Sequence, residues 1–282
     1  MPYTEKPQLI HLMRLLDDTD TRMQPIIQKE LLHHSVDIVL YKNRLFSHVP
    51  DASLESVQKV IVQNKDNLSL SAFKQLLEQP GDEVDLEKLM GILSFWNDPY
   101  TDYLEIKEFL DRLAAEINTF LPSSGHPLVF LDHLNFIFFT RYKFRGNQTD
   151  YYNPENLFLD RVIKTRRGIP ISLSILYVLI AQRLNLPIIG VPMPMHFLLK
   201  FYNGEDEIFF DAFHEGKIYS RQECLRFLEN AHHHDPEAVL QGCDFKEMIA
   251  RVLRNLRIIY SSYEPAPQKK DFVNALLALL ND

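Results

Sequence analysis

Arg166-Arg167-Gly168-Ile169-Pro170-Ile171-Ser172-Leu173-Ser174 is the stretch that decides how this chain folds. Gly168 permits a tight turn, and Pro170 suits the first position of a helix, where its missing N–H leaves no bond unmade. Behind it, Ile171, Leu173, Ile175, Leu176, Val178, Leu179 and Ile180 leave no polar face. Such a helix is expected to be buried on most sides. Pro170, Gln182 and Arg183 interrupt the apolar run, which reads as a helix inside a protein core rather than a membrane span.

Downstream, 186–191, 195–201 and 207–211 are short, apolar and β-prone. Pro192-Met193-Pro194 separates the first two, and Asn203-Gly204 makes a good hairpin turn between the next two. Residues 217–220 add a further short strand. Two of these strands are expected to carry His196 and Asp211 in apolar surroundings, where a titratable group needs a reason to be.

Outward from this centre the pattern is helical. Residues 8–46 read as a HEAT-like helical pair, with Asp17-Asp18-Thr19-Asp20 as the turn between them. Residues 54–79 give more amphipathic helix, closed by Pro80-Gly81-Asp82. Asp85 can cap a helix through Leu86, Leu89, Leu93 and Trp96. A long helix follows to Phe120, the Pro122–Pro127 segment breaks it, and 128–142 is helical again. After the strands, Ser220 can cap a helix through Cys224 and Leu228. Residues 244–260 and 268–280 form a last helical pair around Pro265 and Pro267. Helices, a small antiparallel sheet and helices again make an α+β layout.

Composition narrows the function. The chain has 282 residues, 46% of them hydrophobic, enough for a sizeable core. Its formal charge of −8 lacks the footprint of a general nucleic-acid binder. Two cysteines, Cys224 and Cys243, are too few for a disulfide framework and do not sit in a zinc spacing. The start of the sequence has no apolar signal region, so a cytoplasmic location is expected, without membrane attachment. His232-His233-His234 reads as a surface loop or helix end rather than a metal tract, and Arg166-Arg167 as an ion-paired or solvated face. No P-loop, dinucleotide fingerprint or HExxH is present. No metal or other cofactor is expected.

Arg-Gly followed by a buried helix, Leu184-Asn185-Leu186-Pro187, then His196 and Asp211 resembles a papain-like transglutaminase core. Phe144-Arg145-Gly146-Asn147, Tyr151-Tyr152-Asn153-Pro154-Glu155-Asn156, 167–173 and Met195-His196-Phe197 resemble, more narrowly, the SirB-type transglutaminase-like family. That resemblance covers 85–282 well and 1–84 loosely. It implies a HEAT-like helical region over 1–82, a transglutaminase-like core over 83–220 and a TPR-like tail over 221–282. It also implies a cysteine at the start of the buried helix, with His196 as base and Asp211 as its orienter.

In this chain the cysteine position falls on Pro170, which offers no nucleophile. Ser174 lies on nearly the same helix face one turn deeper, while Ser172 sits nearer the free N–H groups of the helix start. Two readings stay open. In one the chain is noncatalytic and binds a peptide or small ligand in a vestigial pocket lined by Tyr152, Asn156 and Pro170, and a protein partner through its helices. In the other it is a hydrolase or acyltransferase using Ser172 or Ser174 with His196 and Asp211. The bland alternatives are that both serines are small packing residues, that Asp211 caps a turn, and that Tyr151, Tyr152 and Asn156 anchor a loop.

Overall fold

The computed structural model describes residues 7–16, 22–81, 84–121 and 125–281. The expected turn over 17–20 lies outside them, as do Asp82 and residues 122–124. The chain divides into two compact units, Met1–Glu105 with Ala278–Asp282, and Ile106–Leu277.

Among its described residues the first unit is helical: α1 (Pro7–Leu15), α2 (Gln24–His33), α3 (Ser35–Phe46), α4 (Asp51–Gln63), α5 (Lys65–Leu77) and α6 (Leu86–Asn97), with the start of α7 (Tyr103–Phe120). Residues 22–46, expected as a single second helix, form two, with the break at His34. The helix expected over 54–79 is likewise broken at Asn64, whose side-chain amide donates to the Val60 carbonyl at 2.8 Å. A short polar side chain that bonds nearby backbone competes with helix continuation. Asp85 caps α6 as read, accepting from the Lys88 amide at 3.0 Å.

The second unit holds the rest of α7, then α8 (Pro127–Asn135), which runs on as a π-turn over Phe136–Arg141. After β1 (Arg145–Gly146) come a 3-10 turn (Pro154–Leu157), α9 (Leu159–Thr165), β2 (Arg167–Gly168) and α10 (Pro170–Arg183). β1 and β2 pair in parallel. β3 (Ile188–Val191), β4 (Leu198–Tyr202), β5 (Glu207–Asp211) and β6 (Lys217–Tyr219) make an antiparallel meander in sequence order. The Asn203-Gly204 turn holds as read: Asn203 Oδ1 accepts from the Glu205 and Asp206 amides, and Gly204 is left-handed at φ 99°. α11 (Arg221–Asn230), α12 (Pro236–Gln241), α13 (Phe245–Ile258) and α14 (Pro267–Asn281) follow, α14 belonging to the first unit from Ala278 on.

Successive strand residues point to opposite sheet faces, and both faces are covered. The Phe210 ring packs on Tyr177 of α10, 5.2 Å between centroids. Phe209, with Val191 and Leu198, packs with Cys224, Leu228 and Leu240 of α11 and α12. α10 is buried from Pro170 to Ala181, as its all-apolar pattern requires. The fold is thus mostly helical α+β around one small antiparallel sheet. No helix among the described residues is long and apolar enough to cross a membrane.

Candidate functional site

Pro170 stands at the first turn of α10 and is buried. Gly168 is required just before it, because a Cβ there would sit 2.8 Å from Ser172 Oγ and 3.0 Å from Leu173 Cγ. Ser172 Oγ turns back on its own helix start, accepting from the Ile169 N–H at 3.0 Å and donating to the Ile169 carbonyl at 3.1 Å. This satisfies one of the groups a helix end would otherwise orphan. Ser174 is fully buried, and its hydroxyl has no partner among the described residues. Neither serine hydrogen-bonds His196.

His196 lies in the turn before β4, not inside a strand as read from sequence. Met195 takes a left-handed φ of 56°, which ends the apolar run one residue early and swings the imidazole towards β5. Asp211 sits at the end of β5, fully buried, as expected. Its Oδ2 accepts from His196 Nε2 at 2.7 Å and also from His214 Nδ1 at 2.6 Å. Its Oδ1 accepts from the amides of Phe213 and His214 at 2.8 and 3.3 Å. Asp211 therefore caps the turn and also orients the histidine. Burial pushes its carboxyl up, but hydrogen bonds and charge from His196 and His214 outweigh this and hold it below the ordinary carboxylate range. A carboxylate oxygen only accepts, so the facing nitrogen of each ring carries the proton. Neutral His196 then presents Nδ1 as its free lone pair, and neutral His214 presents Nε2.

Sequence reasoning missed His214 and Arg251. His214 follows Asp211 by three residues, and only the tight 211–216 turn brings the two together. Arg251 of α13 reaches the site from 55 residues away, its Nη2 donating to the carbonyls of Met193 and His196 at 3.1 Å each. It fixes the turn that presents the imidazole.

A cavity of about 350 Å³ opens on His196, walled by the start of α10, by Tyr151 and Tyr152, and by α13 through Arg251 and Arg254. Pro170 lines it. Asn156 does not: it is buried and bonded to the carbonyls of Asp150 and Tyr151 and to the Asn147 amide. It anchors the segment that places Tyr152, whose ring stacks on Tyr263 at 3.5 Å.

His196, Asp211 and His214 also present three possible ligand atoms within 4.8 Å of one another, the one such group among the described residues. Tetrahedral zinc, with ligand bonds of about 2.1 Å, needs donor atoms roughly 3.3 Å apart. Contacts of 2.6 and 2.7 Å are too close for that, so as placed these atoms share protons rather than a metal ion. His232, His233 and His234 lie exposed after α11. Arg166 stacks over Phe109 and Phe144, 4.7 and 4.9 Å from the ring centroids, rather than facing an anion. Burial pushes the Cys224 thiol up to about 11 and that of Cys243 up to about 12, so neither is poised as a nucleophile.

Known proteins match this chain in sequence. The chain is 38% identical to F-box only protein 21 of Homo sapiens and of Mus musculus over 230 residues, 71% of this chain but 36% of theirs. The chain thus spans little more than a third of those relatives. It is 32% identical over 166 residues to a UPF0162 protein of Xylella fastidiosa, covering 56% of this chain and 57% of that one. No solved structure matches it. The transglutaminase-like superfamily profile matches residues 104–254, which span α10, the sheet, His196 and Asp211. The chain belongs to the transglutaminase-like superfamily.

Proposed function

We propose that this chain is a noncatalytic transglutaminase-like protein, of the SirB type, that binds a peptide or small ligand in the cavity beside His196. One observation carries the reading. The helix start where a nucleophile belongs holds Pro170, while Asp211 still fixes the neighbouring imidazole with a free Nδ1. A cavity that keeps its polar wall without its nucleophile is suited to holding a ligand rather than to acylating itself.

The rival reading, hydrolysis or acyl transfer through Ser172 or Ser174, requires a hydroxyl within about 3 Å of the base. Against it stand the local bonds of Ser172 and the burial of Ser174. The helices outside the core, HEAT-like over 1–82 and TPR-like over 221–282, are proposed to engage a protein partner in the cytoplasm. This reading invokes no cofactor, nucleic acid or membrane.

The test is covalent labelling of the full chain with a fluorophosphonate probe and, separately, with iodoacetamide. No serine should be modified, and neither cysteine should react until the protein is denatured. Serine modification that disappears in His196→Ala would overturn the noncatalytic reading.

A further inference from the structure

The walls of the His196 cavity are lopsided in charge. None of the described residues that line it is Asp or Glu, while Arg251, Arg254 and His196 all face it. This occurs on a chain of net charge −8, so the local sign opposes the global one. Arg251 uses Nη2 on two carbonyls, and its remaining N–H groups have no partner among the described residues. Burial first, and then the charge of Arg254, push its pKa down against the opposing pull of Glu247. Arg254 is itself paired to Glu247 through Nη2. Ile169, Pro170 and Ile171 at the start of α10 line the same cavity and bring no acidic group to it.

The rim is apolar and exposed. Met195 is 95% exposed, held outward by its left-handed backbone. Ile258 on α13 and the stacked rings of Tyr152 and Tyr263 are also exposed. Large apolar side chains gathered around a concave site mark binding surfaces. A rigid stacked tyrosine pair offers contact area with little rotamer entropy to lose.

Resting on the reading that this cavity binds a ligand, we infer that its occupant is a peptide segment pairing a carboxylate with a bulky apolar side chain. The carboxylate sits against Arg251, Arg254 and the start of α10, and the apolar group lies on Tyr152, Tyr263 and Ile258. A planar guanidinium suits a carboxylate in bidentate fashion. The carboxylate is that of an Asp or Glu side chain or of a chain terminus, chemistry that the same donors would read.

The full chain is panned against fluorescein-labelled decapeptides of randomised sequence, each made with a free and with an amidated C-terminus. Binders should be enriched in Asp or Glu beside Phe, Tyr, Trp, Leu or Ile. Loss on amidation identifies a terminal carboxylate, and indifference to it a side chain. Arg254→Glu should weaken the selected peptides by about tenfold or more. Arg254→Gln, which removes only the charge, should give a smaller loss of the same sign, and Tyr152→Ala should weaken the same peptides. Raising salt from about 0.05 to 0.5 M should also weaken them, because exposed charge pairs are screened. Binders without acidic preference, or indifferent to Arg254→Glu but weakened by Tyr152→Ala, would overturn this inference and leave the cavity as a peptide site. No binder at all, or binders indifferent to every cavity variant, would overturn the cavity reading itself.

Discussion

Replacing Asp211 by Asn isolates the charge at the centre of the site while keeping its shape. Oδ1 of the new amide can still accept from the Phe213 and His214 backbone. The amide nitrogen, however, meets two ring nitrogens that both carry protons towards Oδ2 in the native protein. Both imidazoles must change tautomer to accept from it. Charge-assisted hydrogen bonds are roughly twice as strong as neutral ones, so two such exchanges cost about 2 kcal/mol. The loss rises to about 4 kcal/mol if the amide reaches only one ring. For a unit of this size that lowers Tm by about 5 to 15 °C.

The difference should also depend on pH with a definite sign. The folded pKa of Asp211 lies below its ordinary value. Its stabilisation is therefore fully present above about pH 4 and is lost as pH falls further, through the folded pKa. The Tm gap between wild type and Asp211→Asn should close in that acid window. The assays are calorimetry across pH and long-range ¹H–¹⁵N spectra of the histidine rings at alkaline pH. Wild type should show His196 protonated at Nε2 and His214 at Nδ1, and the variant should show both reversed. A Tm change below about 1 °C, or a native His196 protonated at Nδ1, would refute the reasoning.

Other expectations concern single groups. Ser174→Ala should be neutral or stabilising in urea denaturation, since a buried hydroxyl without a partner costs about 1 kcal/mol or more. Ser172→Ala should cost about 1 kcal/mol, the usual value of a helix-start bond, and a larger cost for Ser174 than for Ser172 would contradict both placements. From thiolate fraction, Cys224 should react with a disulfide reagent about a hundredfold, and Cys243 about a thousandfold, more slowly in the folded protein than in urea, given thiols raised to about 11 and about 12. Lys42→Met should hold or raise the Tm of the helical unit. Burial pulls that ammonium down to about 8, so charging it at neutral pH works against folding, and a clear loss of Tm would show the ammonium to be needed.

Local chemistry made the centre of the fold readable. Pro170 at a helix start, an unbroken apolar helix behind it and an Asn-Gly turn each specify their structure within a few residues. The antiparallel meander and the His196–Asp211 pairing followed from them and from the family resemblance. What stayed hidden depends on contacts distant in the chain or on fine backbone geometry. The reach of Arg251 across 55 residues leaves no local signature. Met195 is left-handed because of the turn it closes, and no residue near it announces that His196 will sit outside the strand. Ser172 and Ser174 are alike in sequence, and only their hydrogen bonds tell a capping residue from a sealed one. Asn156 read as a wall of the cavity because it neighbours residues that are.

A single carboxylate oxygen between two imidazoles has a consequence for the surfaces beyond them. His196 opens on the 350 Å³ cavity, whereas His214 opens on a separate cleft of about 610 Å³, alongside Arg145 and Arg167. Oδ2 lies at hydrogen-bond distance from both rings. The two rings thus share one acceptor, and losing it would release both at once. Asp211 acts as the pivot of a balance whose two pans face different openings.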